Sequence, residues 1–230
     1  FSRLHKERTI QSNLHNLRKQ LTAENLELLP EYHQRMAVLE HLGFVDPRTR
    51  TVQLKGRVAC EINTCDEVLL TELVLNNLFA DLDVPETVAV LSVLIFQEKN
   101  DLDSDLVERW PPRLIQALRQ VRDTARRVMT IQAEFGIDGA DPDLYLKTNL
   151  RYGLVEVVYE WARGLPFQQI MGLTNVLEGS IVRCIHRLED TCREVRDAAR
   201  LVGDGALYQK MDAAETAIKR DIVFCGSLYL

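Results

Sequence analysis

Between Glu178 and Val202 the chain sets Arg183, Arg187, Asp190 and Glu194 at helical intervals, so two guanidinium groups and two carboxylates share one side of a helix. Three uses fit such a row. Its charges can pair with one another at i,i+3 and i,i+4 on a solvated face. Its arginines can reach phosphates or stack on bases while a carboxylate accepts from base or ribose hydroxyl donors, as a single-strand binder requires. With the turns at Gly164-Leu165-Pro166 and Thr174-Asn175 before it, it can also be the second helix of a helix-turn-helix, with Glu178 to Arg187 in a DNA major groove. Apolar Ile181 and Ile185 near the helix start oppose the third use. Periodicity leaves the first two open.

Other chemistries lack their parts. There is no glycine-rich phosphate loop, no G-x-S-x-G elbow, no H-E-x-x-H and no G-x-G-x-x-G. Gly203-Asp204-Gly205 reads as a turn, because no Lys-Ser/Thr follows it and no strand precedes it. The cysteines at 60, 65, 184, 192 and 225 are odd in number and contain no C-x-x-C pair, which signals neither a disulfide framework nor a zinc site. They are expected to be buried, reduced thiols, and an intracellular compartment follows from that. The histidines at 5, 15, 33, 41 and 186 stand beside Arg and Glu and read as surface or boundary residues. Tyr159 and Trp161 lie in an apolar helix and read as core. No catalytic residue, metal ligand or cofactor is expected within this segment.

The elements that must position the row are nearly all helical. Leu4 to Leu29 carries a narrow stripe of Leu14, Leu17, Leu21 and Leu28, and a shorter helix is expected from Glu31 to Leu42, closed by Gly43. Asp46 to Thr49 makes a turn, and the alternation of Thr51 to Leu54 predicts a small β-ribbon. Thr64 and Glu67 have capping-box spacing, which starts a helix running to Asp81. Pro85 opens a helix apolar on most sides up to Phe96, and Lys99 to Asp105 is a charged loop. From Arg113 to Phe135, Leu114, Leu118, Val121, Ala125 and Val128 form one stripe, with Arg119, Arg122, Arg126 and Arg127 off it. Asp141-Pro142 begins a helix expected to reach Gly164. A short helix from Pro166 to Leu173 and a last one from Leu207 to about Phe224 flank Glu178 to Val202, where Ile181, Ile185, Leu188, Cys192, Val195 and Ala199 mark the buried face.

The 230 residues are enough for a sizeable core, at 46% hydrophobic and 27% charged. Twenty-eight basic and 34 acidic residues sum to −6, which opposes bulk coating of nucleic acid or anionic membrane and leaves room for a local basic groove. The longest uncharged stretch, Gly164 to Leu177, contains Pro166 and several amides, so no membrane-spanning helix is expected. Phe1 is no initiator, and the chain reads as a piece of something longer.

Four separated strings, LKGRVACEI (54–62), GLVEVVYEWARGLPF (153–167), EGSIVRCIHRLEDTCRE (178–194) and KRDIVFCGSLYL (219–230), resemble the C-terminal DSHCT region of superkiller-type DExH-box RNA helicases and their nuclear exosome-associated relatives. The likeness runs from about Leu29 to Leu230, and LLPEYHQRMAVLEHLGFVD (28–46) is closer to the cytoplasmic superkiller branch. The resemblance implies a mainly α fold: residues 1–28 as the end of an arch insertion, 29–63 as the last part of a winged helix with its β-ribbon, and 64–230 as a helical bundle. Glu178 to Val202 would be its ratchet helix, with Arg187 of the R-L-E-[ED] motif, Asp190 and more weakly Arg183 touching single-stranded RNA. Where relatives often carry Glu, this chain has the shorter Asp190. The implied parent is an ATP-dependent 3′–5′ helicase, its ATP and Mg held by RecA-like motor domains outside this segment. It would feed RNA to the exosome in the cytoplasm, or in the nucleus if the relative is the parent, alongside the superkiller tetratricopeptide scaffold and WD-repeat protein. The same likeness allows a bundle that chiefly docks those subunits.

Overall fold

Helix follows helix through the chain, and among the residues that the computed structural model describes (2–99, 110–220 and 223, with side chains outside 2–7 and 19–28) there is no strand. The fold is mainly α, as the helical periods imply. Most of the loop expected after Lys99, together with Cys225 and the closing residues 224–230, lies outside the described residues.

One helix, α1 (Ser2–His41), takes the place of the two expected around Leu29, with Pro30 inside it. Proline removes one amide donor from the ladder. The helix continues past it, braced on the next turn by the Glu31–Arg35 ion pair at 2.7 Å. Gly43, at φ +78°, then reverses the chain. The Asp46 carboxylate closes the expected turn by accepting from the Arg48 and Thr49 amides at 2.9 and 2.7 Å.

The expected β-ribbon shrinks to one isolated antiparallel bridge between Val45 and Val52, because the chain becomes helical at once in α2 (Leu54–Cys60). Gly56 lets α2 press on the preceding strand-like segment: a Cβ there would stand 2.5 Å from the Phe44 carbonyl oxygen. Val38, Leu42, Phe44 and Val45 make a small core of their own, with Ala59, Val68 and Phe135 packed on it.

The next helix, α3 (Glu67–Leu75), is capped by Asp66, whose side chain accepts from the Leu69 amide, and it ends well before Asp81. Thr64 is not its cap; its hydroxyl is held elsewhere, as described below. The capping box belongs to α4 (Val84–Ile95), where Asp83 and Glu86 satisfy each other's amides. After α5 (Pro112–Glu134), Gly136 at φ +75° ends the run. The helix expected from Pro142 to Gly164 is two, α6 (Pro142–Asn149) and α7 (Val155–Ala162). Between them the Arg151 amide donates to the Val93 carbonyl at 3.2 Å, a tertiary bond in place of a helical one. Short α8 (Phe167–Ile170) and a 3-10 turn lead to α9 (Glu178–Val202), and α10 (Gly205–Ile218) folds back after Gly203. That last helix stops before Phe224, where Lys219 caps it.

Buried on nearly all sides, α4 is the centre of the bundle, with α5, α7, α9 and α10 around it. The stripes expected for α5 and α9 are both fully buried, from Leu114 to Val128 and from Ile181 to Ala199. Trp161 is fully buried as well, as its place in an apolar helix implies.

Candidate nucleic-acid interface

With its apolar stripe packed on α10, α4 and α2, α9 turns Arg183, His186, Asp190, Arg193 and Arg200 to solvent. The row of four charged residues divides along its length. Arg183 and Asp190 are on the exposed edge; Arg187 and Glu194 are half-buried on the edge that faces the link between α2 and α3.

On the exposed edge, Arg183 pairs with Glu98 at 3.3 Å and also donates to the Ser180 hydroxyl at 3.0 Å. Asp190 pairs with Arg193 at 3.4 Å. Both ion pairs are open to water, where such pairs are worth about 0–1 kcal/mol. A phosphate or a ribose hydroxyl can therefore displace either one.

On the other edge, Arg187 donates from Nη2 to the Thr64 carbonyl oxygen. The Glu194 carboxylate accepts from the Thr64 amide at 3.1 Å and from its hydroxyl at 2.7 Å. The Thr191 hydroxyl stands 2.7 Å from the Thr64 hydroxyl. Arg187, Thr191 and Glu194, one turn apart, thus grip all the polar groups of one residue. Sequence reading took Thr64 for a helix cap and passed over Thr191, whose available signal was its i+4 spacing from Arg187.

Further along, buried Glu189 accepts from Arg193 at 2.8 Å and Lys219 at 2.7 Å. Burial alone would raise its pKa, but the two cations outweigh that and hold the carboxyl below its usual range. Cys184 and Cys192 on α9, and Cys65 beside it, are pushed up to about 12, chiefly by burial, and stay neutral thiols. Cys60 is exposed, against the expectation that the cysteines are buried, because it sits in the last turn of α2 facing outward. Ile181 and Ile185, in the part of α9 that a helix-turn-helix would set in a groove, are fully buried against the bundle. No helix among the described residues is long and apolar enough to cross a membrane.

Fold and site together define a helical bundle with a long amphipathic helix whose free edge mixes arginine and carboxylate. Residues 49–225 match the DSHCT (NUC185) domain, and the chain belongs to that family. It is 45% identical over 219 residues to the DExH-box ATP-dependent RNA helicase DExH11 of Arabidopsis thaliana, covering 95% of this chain and 16% of that protein. It is 44% identical over 229 residues to superkiller complex protein 2 of Homo sapiens, covering 100% of this chain and 18% of that protein. Exosome RNA helicase MTR4 of Homo sapiens is more distant, at 40% over 221 residues, 96% of this chain and 20% of its own length. The chain thus spans about a fifth or less of these relatives.

Proposed function

We propose that this chain is the C-terminal, RNA-channel portion of an ATP-dependent 3′–5′ RNA helicase of the superkiller type, acting with the exosome in the cytoplasm. The likeness to superkiller complex protein 2 across the whole chain favours that branch over the MTR4 one. In this reading residues 1–28 end an arch, 29–63 complete a winged helix, and 64–230 are the bundle that closes the channel. The continuous α1 then joins the first two parts as one rod.

The observation that carries the RNA contact is the polar side of α9, where exposed Arg183 and Asp190 and half-buried Arg187 lie within two turns. Arg187 uses Nη2 on Thr64, which leaves its other guanidinium donors for a phosphate or for stacking on a base. Asp190 supplies the acceptor for a ribose 2′-hydroxyl or a base amine. The motor domains of the parent, with ATP and Mg, would supply the steps. These side chains would hold successive nucleotides against slipping back between them.

In the full helicase, Arg187→Ala slows unwinding about tenfold or more, the worth of one charge-assisted hydrogen bond, with helicity by circular dichroism unchanged. Unwinding at the wild-type rate in that variant removes Arg187 from the site.

A second reading, docking of partner subunits such as the tetratricopeptide scaffold, the WD-repeat protein or the exosome, rests on α5. Its Arg127 goes to Glu72 and its Arg126 to Asp143, at 2.9 and 3.1 Å. Arg119 and Arg122, exposed and one turn apart, have no acceptor among the described residues. Two unpaired guanidinium groups on a helix that packs on α3, α4 and α6 form a surface for carboxylates separate from α9. Charge reversal at both positions is expected to weaken capture of a superkiller subunit about tenfold or more while RNA affinity is unchanged. Undiminished capture excludes this face.

A further inference from the structure

We infer that Thr64, Thr191 and Glu194 are positioning residues for Arg187, holding its guanidinium at one angle so that it meets RNA already ordered. The inference rests on the RNA reading of α9 given above.

An arginine on a solvated helix samples many rotamers, and ordering it on binding costs affinity. Here the Thr64 carbonyl fixes Nη2, and the carbonyl is itself fixed. The peptide unit that precedes Thr64 is tied through its amide to Glu194 at 3.1 Å, and the Thr64 side chain is tied to Glu194 and Thr191 at 2.7 Å each. The single Thr191 hydroxyl proton serves either Thr64 Oγ1 or the Arg187 carbonyl at 2.8 Å, so this hydroxyl stands between Thr64 and the turn of α9 that carries the arginine. Thr64 lies 123 residues from Arg187 and 130 from Glu194 in sequence, in the link that joins α2 to α3. Any shift of that link moves the guanidinium with it. Asp190 has no part in this network; its partner is Arg193.

The sign of one substitution separates positioning from plain electrostatics. Glu194 is a negative charge beside a site for phosphates. By Coulomb's law alone its removal tightens RNA binding. As part of the clamp, its removal weakens binding, because Arg187 must then be ordered by the RNA.

The test is a double-mutant cycle on the 230-residue chain, read by anisotropy of fluorescein-labelled decauridylate at low salt, with thermal unfolding followed in parallel. Glu194→Ala and Thr64→Val each weaken binding about three- to tenfold, and Thr64→Ser restores it. In an Arg187→Ala background neither change has any further effect on affinity. Arg187→Ala itself lowers the salt slope by about 0.7, the share of one phosphate on a single strand. If Arg187→Ala weakens binding while Glu194→Ala and Thr64→Val bind as wild type or more tightly, the positioning role is wrong and the RNA contact stands. If Arg187→Ala binds as wild type, the RNA reading fails and the inference with it. The Thr64→Ser rescue keeps the outcome independent of any loss of stability in the valine variant.

Discussion

Replacing Trp161 with alanine lowers folding stability by about 3–5 kcal/mol, the range for removing a large buried aromatic side chain. The ring is fully buried on α7, with Phe167 edge-on at a centroid distance of 6.0 Å. Its Nε1–H donates to the Ile218 carbonyl at the end of α10 at 2.9 Å. Arg220 lies over the ring face, 3.6 Å from the centroid, and donates from Nη2 to the Trp161 and Leu165 carbonyls at 2.6 Å each. Alanine therefore opens a cavity and also frees the turn that follows α10. Trp161→Phe keeps most of the apolar volume and loses the indole donor, while the Ile218 carbonyl keeps its bond from the Arg220 amide at 3.0 Å, so it costs about 0.5–1.5 kcal/mol, the worth of one hydrogen bond. Urea unfolding followed by circular dichroism measures both. Equal losses in the two variants would show that the polar contacts, and not the packed ring, hold α7 to α10.

The second large effect is at Glu72, a buried carboxylate on α3 that takes an ion pair from Lys55 on α2 and one from Arg127 on α5, the latter at 2.9 Å. Removing both cations with Lys55→Met and Arg127→Met leaves a buried charge without a partner, at a cost of about 3–5 kcal/mol. Arg127 is 51% exposed, so most of the loss belongs to Lys55, which is 22% exposed. Adding Glu72→Met to the double variant recovers most of the stability, because well-packed apolar groups replace a buried pair at little net cost. Guanidinium unfolding of the three proteins decides this. A double variant as stable as wild type would mean that water reaches Glu72.

This triad has a structural consequence beyond its energy. Lys55 also donates to the Leu42 carbonyl at 2.7 Å and sits 4.7 Å from the Phe44 ring centroid. It thus fastens the small core after α1 to the main bundle. The Thr64 link that governs Arg187 comes directly after α2, so the same junction that Glu72 stabilises also sets the frame of the proposed RNA contact. Loss of the triad is expected to loosen α2 first.

Much of the bundle was legible because its signal is local. The apolar stripe of α9 and its limits at Glu178 and Val202 were set by spacing alone, as was the stripe of α5, since burial of one face imposes a 3.6-residue period whatever the partner. Proline and glycine marked the ends of α4, α5 and α9 for equally local reasons. The errors share a different cause. Thr64 and Glu67 have the spacing of a capping box, but the Thr64 hydroxyl is bound by α9, and Asp66 caps α3 instead. Leu146, Leu150 and Leu154 keep helical spacing across a break made by the bond from Arg151 to Val93. Alternation at Thr51 to Leu54 was too short to outlast the helix that begins at Leu54.

The candidate site divides in the same way. Helical geometry alone put Arg183, Arg187, Asp190 and Glu194 on one side of one helix, and no folding of the rest could separate them. Their partners came from distant chain: Glu98 for Arg183, and Thr64 for Arg187 and Glu194. A shift of about 40° around α9 separates an exposed arginine from one held half-buried in a clamp. Periodicity places a residue on a face, whereas exposure and hydrogen bonding depend on which other helix comes to cover that face.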